Sequence, residues 1–136
     1  MKKSISILSV AAIAAVFFFS ACEKDEGNLP NIAFKTGGQY VSANDSVQQG
    51  DTVIVGIKAS KAEEKDVLKS FDGSSSFDNA ASTSFVSESL SGGNQDNFEK
   101  DMVLIARKQA GKEQYTFTVV NKDGLKNAVS LTLFVK

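Results

Sequence analysis

Three observations predict an all-β fold, an antiparallel sandwich of about seven strands. Apolar residues recur with period two in several short runs, the pattern of strands that bury one face. Asn, Asp, Ser and Gly punctuate those runs, as turns between short strands require. Behind an apolar leader about 100 residues remain, enough for one core and too few for two.

The leader comes first. Met1-Lys2-Lys3 is basic, and Ser4 to Ala21 follow without a charge, rich in Ala, Ile, Val and Phe. That is the layout of a secretory signal peptide. A transmembrane helix, which needs about 20 apolar residues, is the rival reading. Small Ser20 and Ala21 before Cys22, and the acidic flank after it, favour removal of residues 1–21. Phe19-Ser20-Ala21-Cys22 resembles the lipobox of bacterial lipoproteins, with Phe19 where Leu is usual. The resemblance implies a diacylglyceryl thioether on Cys22, the thiolate being the nucleophile that takes the lipid. Two or three acyl chains, at about 0.8 kcal/mol per buried methylene, anchor a protein stably to a membrane. An ordinary signal peptide with an incidental cysteine is the alternative.

Glu23, Lys24, Asp25 and Glu26 resemble the short acidic signal that sends some Gram-negative lipoproteins to the outer leaflet of the outer membrane; a solvated acidic linker is the other reading. The expected division is therefore signal peptide 1–21, lipidated acidic tether 22–30 and folded domain 31–136, lipid-anchored at the outer membrane and facing outside.

Loss of two signal lysines leaves 13 basic against 16 acidic residues, so the net charge moves from -1 to about -3. A chain without a basic stripe offers no surface to nucleic acid. It has no histidine, and its one cysteine is committed to lipid. Disulfides, Cys/His zinc sites and Ser-His or Cys-His nucleophiles are excluded on that basis. No phosphate-cradling glycine loop is present. No catalytic residue, metal or cofactor is expected beyond the covalent lipid; paired carboxylates could still meet in space.

The domain elements follow in order. NIAFK (31–35) and QYVSA (39–43), split by Gly37-Gly38, read as a first broken strand, the glycines letting the chain pass from one sheet to the other. TVIVGIKAS (52–60) points Val53, Val55, Ile57 and Ala59 inward. Ser60 to Glu63 has the form of a capping box, and a helical turn leading into a strand through Val67, Leu68 and Phe71 is expected. Residues 70–98 are rich in Ser, Gly, Asn and Asp, with Phe71, Phe77, Phe85 and Phe98 spaced through them. In a chain with ten Phe, two Tyr and no Trp, core filling is their first explanation; a sugar-stacking face is the second. MVLIA (102–106) is apolar on both faces and reads as a central buried strand. EQYTFTVV puts Tyr115, Phe117 and Val119 inward, and AVSLTLFV does the same with Val129, Leu131, Leu133 and Val135. Asn121 to Gly124 between them predicts a hairpin turn.

Gly111, Tyr115, Asp123 and Gly124, in AGKEQYTFTVVNKDGLKNAVSLTLFV, resemble the last two strands of immunoglobulin-like domains of bacterial surface proteins, including the PKD type. Gly111 and Tyr115 stand about one residue farther apart than in the PKD form. The resemblance covers the last quarter of the chain and implies an immunoglobulin-like sandwich. In such a fold Tyr115 would be a tyrosine corner, its hydroxyl bonding to backbone upstream. Asn94 to Asn97 and Asn121 to Asp123 carry oxygen ligands but not EF-hand spacing, and read as turns.

Phe134 is the one large apolar residue expected to face outward on the last strand, against the tether or first strand or as part of a sticky face. The functional expectation is a noncatalytic surface lipoprotein whose domain serves adhesion, spacing or outer-membrane machinery through a protein partner. The alternative is direct binding of polysaccharide or peptide by loops 72–97, through Phe77 and Phe85.

Overall fold

The computed structural model describes residues 27–136. The expected signal peptide, the expected lipid site Cys22 and the expected export signal Glu23, Lys24, Asp25 and Glu26 lie outside the described residues. Eight strands follow in order: β1 (Asn31–Phe34), β2 (Asp45–Val47), β3 (Thr52–Ser60), β4 (Leu68–Phe77), β5 (Thr83–Ser89), β6 (Asn97–Ile105), β7 (Gly111–Asn121) and β8 (Lys126–Val135), with one 3-10 turn at Gly92–Gln95. They form a three-stranded sheet, β1-β3-β6, and a five-stranded sheet, β2-β8-β7-β4-β5. Every pairing is antiparallel except β2 with β8. The result is the expected immunoglobulin-like β-sandwich, with one strand more than about seven and one parallel edge pair.

Alternation builds the core. Val53, Val55, Ile57 and Ala59 of β3 face Tyr115, Phe117 and Val119 of β7 and Leu131, Leu133 and Val135 of β8, all buried. Phe71 lies 5.0 Å from Phe98 and 6.3 Å from Phe117, and Phe34 meets Phe117 edge-on at 6.0 Å. These four rings weld the two sheets, each fully buried one contributing about 1.5–3 kcal/mol by leaving water. The β7–β8 hairpin closes where expected: Gly124, at φ +82°, donates its N–H to the Asn121 carbonyl at 3.0 Å.

Strand directions separate two ends. Pro30 and the connections 61–67, 90–96 and 122–125 lie at the end where the chain enters; connections 48–51, 78–82 and 106–110 lie at the distal end. Pro30 is buried, and its carbonyl accepts from Asn127 Nδ2 at 2.9 Å. Asn28 Nδ2 donates to Glu63 Oε1 at 2.8 Å, so the last residues of the expected tether are bonded to the 61–67 connection.

Four local expectations change. Residues 39–43 form only an isolated bridge, Tyr40 to Ile54, parallel and on the same sheet as β1. The glycines at 37 and 38, at φ +81° and +55°, turn the chain back along β3, and the crossing to the other sheet comes later, at Asn44, whose Oδ1 accepts from Thr132 N at 2.8 Å. No helix follows Ser60; one turn, Asp66 N to Glu63 O at 3.0 Å, leads into β4. Residues 102–105 lie in an edge strand rather than a central one, because β6 pairs only with β3. Finally, the Tyr115 hydroxyl donates to the Glu113 carboxylate at 2.7 Å instead of to upstream backbone.

Candidate functional site

The inward row of β7 begins and ends on polar residues. Glu113, Tyr115, Phe117, Val119 and Asn121 share one face and are all buried. At the distal end Glu113 Oε1 accepts from Arg107 N and Arg107 Nε, both at 2.9 Å, while Oε2 accepts from Tyr115. Arg107 also donates through Nη2 to Asp78 Oδ2 at 3.0 Å and covers the Phe77 ring at 4.5 Å. Asp78 Oδ1 accepts from Lys112 N at 2.8 Å. That bond and the Arg107 guanidinium hold the Asp78 carboxyl below the usual carboxylate range. Burial, then the bond to Glu113, pushes the Tyr115 phenol up.

Asp78 and Asn79 occupy the left-handed region at φ 50° and 63°, as a tight primed hairpin turn demands and as Asp and Asn tolerate. A Cβ on Gly111 would fall 2.3 Å from Asp78 Oδ1, so only glycine admits this clasp. Every charge in it is answered within the fold, which makes it a structural lock.

A different surface covers the outside of the three-stranded sheet. Lys35 and Tyr40 lie flat over Gly56, where a Cβ would sit 2.7 Å from both side chains. Lys35 Nζ reaches Asp101 Oδ1 at 2.9 Å and Glu99 Oε2 at 3.0 Å, and the Tyr40 hydroxyl donates to Asp101 Oδ2 at 2.9 Å. The bonds from Lys35 and then Tyr40 pull the Asp101 carboxyl down; those to Asp101 and Glu99 push the Lys35 ammonium up. Distal to this cluster Val103 is 64% exposed and Ile105 67% exposed on β6. They pair with Ile54 and Thr52 of β3. Toward the tether end the same sheet lines a groove of about 430 Å³ with Asn31, Lys58, Ser60, Asn97 and Glu99, and its one ring, Phe98, is buried.

The predicted aromatic residues do not converge. Phe77 is half-buried, edge-on to Tyr115 at 6.4 Å and capped by Arg107. Phe85, 44% exposed, sets its ring edge-on to Tyr115 and Phe117 at 6.1 Å each. Phe134, 45% exposed, faces outward from the five-stranded sheet between Ser46 and Lys112. It stands at the distal end, away from the tether. Val103 and Ile105 went unnoticed as surface residues, although Glu99 and Asp101, four and two positions before Val103, already mark that parity as outward.

Among the described residues no group of three or more His, Cys, Asp or Glu is placed to hold a metal ion. No helix among them is long and apolar enough to cross a membrane.

No protein-family model matches the chain, and no curated protein sequence does. Among solved structures it is similar to superoxide reductase (neelaredoxin) from Ignicoccus hospitalis, with a TM-score of 0.54 and 8% identity over 80% of this chain and 81% of that one. A CARDB domain from Pyrococcus furiosus overlaps at a TM-score of 0.48 and 10% identity, over 81% of this chain and 100% of that one. The same domain in complex with di-metal ions overlaps at 0.45 and 11%, over 79% and 90%. The CARDB overlaps carry no argument of their own. The likeness to the reductase reaches the sandwich architecture and stops there.

Proposed function

We propose that the chain is a noncatalytic, lipid-anchored cell-surface module that holds a protein partner, as an accessory to adhesion or outer-membrane machinery. The lipid would sit on Cys22, with Glu23 to Glu26 directing export to the outer leaflet. One observation carries the binding role: two β-branched side chains, Val103 and Ile105, stand in water on an edge strand. Exposed apolar residues on a sheet edge invite another chain, and folds normally blunt them with charge, proline or cover. The distal lock, by contrast, leaves no carboxylate or cation to spare for chemistry.

The test is site-specific photo-crosslinking in intact cells from Val103, with Ser130 on the opposite outer face as control. A defined adduct from Val103 alone is expected, along with loss of membrane anchorage in Cys22→Ser. Equal labelling from both positions, or none, rejects the partner role. Glycan capture keeps one supporting feature, the exposure of Phe85. Its second ring, Phe77, is already covered by Arg107.

A further inference from the structure

We infer that β6 takes up an extended segment of a partner protein as a fourth strand of the small sheet, and that this segment carries β-branched apolar residues followed by cations. The inference rests on the protein-binding reading above and specifies its mode and chemistry.

Backbone geometry comes first. Lys35 N and Val41 N donate to the carbonyls of Gly56 and Ile54, so even-numbered residues of β3 turn their polar backbone toward β1. Odd-numbered residues of β3 therefore serve β6, and the register pairs them with even-numbered residues of β6: Val53 with Leu104, Val55 with Met102. Ala106, whose N–H reaches the Asp51 carbonyl at 2.8 Å, continues that parity. By alternation the N–H and C=O groups of Glu99, Asp101, Val103 and Ile105 point away from β3. No strand among the described residues pairs with them. The same four residues carry the outward side chains, so one row supplies hydrogen bonds and recognition together.

The neighbouring flank is prepared for this. Lys100, facing inward from β6, is ion-paired with Glu88 of β5, which closes the sandwich behind the edge.

Charge selects the occupant. Along β6 the outward row reads acid, acid, apolar, apolar; the cations that answer Glu99 and Asp101, Lys35 and the cross-strand Lys58, stand on the β3 side, not on the open edge. An antiparallel strand is matched when it sets β-branched residues opposite Ile105 and Val103 and cations opposite Asp101 and Glu99. A second copy of this chain is a poor match. Two-fold pairing about Met102 would lay Asp101 and Glu99 over the partner copy's Val103 and Ile105, carboxylate against hydrocarbon. Strand addition draws its affinity from main-chain bonds and its specificity from alternate side chains, as this row provides.

The experiment is hydrogen exchange on the full chain in nanodiscs with synthetic peptides as probes. The peptide SVSISKSKS should slow exchange at the amides of Asp101, Val103 and Ile105. The charge-reversed SVSISESES, and a version of SVSISKSKS N-methylated on the backbone of its isoleucine, whose N–H would face Val103, should bind about tenfold more weakly or worse. Ile105→Thr and Val103→Thr keep β-branching, so the strand still folds, and should weaken SVSISKSKS by a similar factor. Binding without amide protection, undiminished by the backbone N-methylation, would mean docking on the face: strand addition fails while the protein-binding reading survives. Protection that rises with chain concentration in the absence of peptide would make the occupant a second copy and overturn the inference. If no peptide binds and the crosslink from Val103 is also absent, both readings fall; a crosslink without peptide binding removes only this one.

Discussion

Strand β7 ends its buried row on a carboxylate at the distal end and on a carboxamide at the tether end, and the two close the sandwich by different chemistry. Glu113 gathers Arg107 and Tyr115, and Arg107 reaches on to Asp78, 29 residues away, so β7 and the connections on either side of the distal end meet through charge. Asn121 works mainly on its own turn: Oδ1 accepts from Asp123 N at 3.1 Å and Leu125 N at 2.9 Å, and Nδ2 donates to buried Asp66 at 2.8 Å. The amide cannot titrate, whereas the distal clasp contains groups shifted in both directions. The same strand thus carries one end whose hold depends on pH and one whose central group does not.

Removing each centre should sharpen that contrast. Glu113→Ala leaves the Arg107 guanidinium and Tyr115 hydroxyl without their buried acceptor, and breaking such a pair costs about 3–5 kcal/mol. Chemical denaturation should register the loss as a lower midpoint. Asn121→Ala strands two turn amides and one carboxylate oxygen of Asp66, for about 2–4 kcal/mol. A larger loss from Asn121→Ala than from Glu113→Ala would reverse the ranking and make the turn, not the ionic clasp, the stronger closure.

Neither end was legible as a clasp in the sequence, though the row itself was. Tyr115, Phe117 and Val119 announce the inward parity, and Glu113 and Asn121 obey it. A polar residue at a strand's end reads as solvent or turn until its partners are known, and Arg107, Asp78 and Asp66 come from other strands and connections. The β7–β8 hairpin was readable because Asn121 to Gly124 carry their geometry locally. The rank of β6 was not: apolar residues on both parities look central, and sheet order is decided by distant pairings. The surroundings of each ring are set by the same distant pairings, so the aromatic residues at 71, 77, 85 and 98 looked alike while two are core, one is capped by Arg107 and one rests half-exposed against Tyr115 and Phe117.

Tyr115→Phe isolates the phenol and should cost about 1 kcal/mol at neutral pH. Its folded pKa is raised, chiefly by burial, so the stability it contributes is complete below the ordinary phenol value near 10 and is lost as pH rises through the folded value. The variant should therefore show a shallower alkaline decline in stability, by up to about 1.4 kcal/mol per pH unit. Lys35 and Tyr40, also raised, keep part of the slope. An unchanged alkaline limb would mean that neither burial nor the bond to Glu113 raises the phenol.

Asp78→Asn has the smallest expected effect and is the cleanest probe of charge at the distal end. Asn accepts the same bond from Lys112 N and tolerates the same left-handed turn, so what goes is the carboxylate's charge and the bond Oδ2 accepts from Arg107 Nη2, where the amide NH2 now stands. The folded pKa of Asp78 is depressed, first by the Lys112 amide and then by Arg107. Its contribution is therefore complete above the ordinary carboxylate value of about 4 and disappears as pH falls through the folded value. Stability measured from pH 5 downward should fall less steeply in Asp78→Asn than in the parent, while Asp101, depressed at the outer face, sustains a residual slope in both. Identical acid limbs would leave Glu113 as the sole electrostatic hold on Arg107. The distal end would then resemble the tether end after all, one buried acceptor closing a turn.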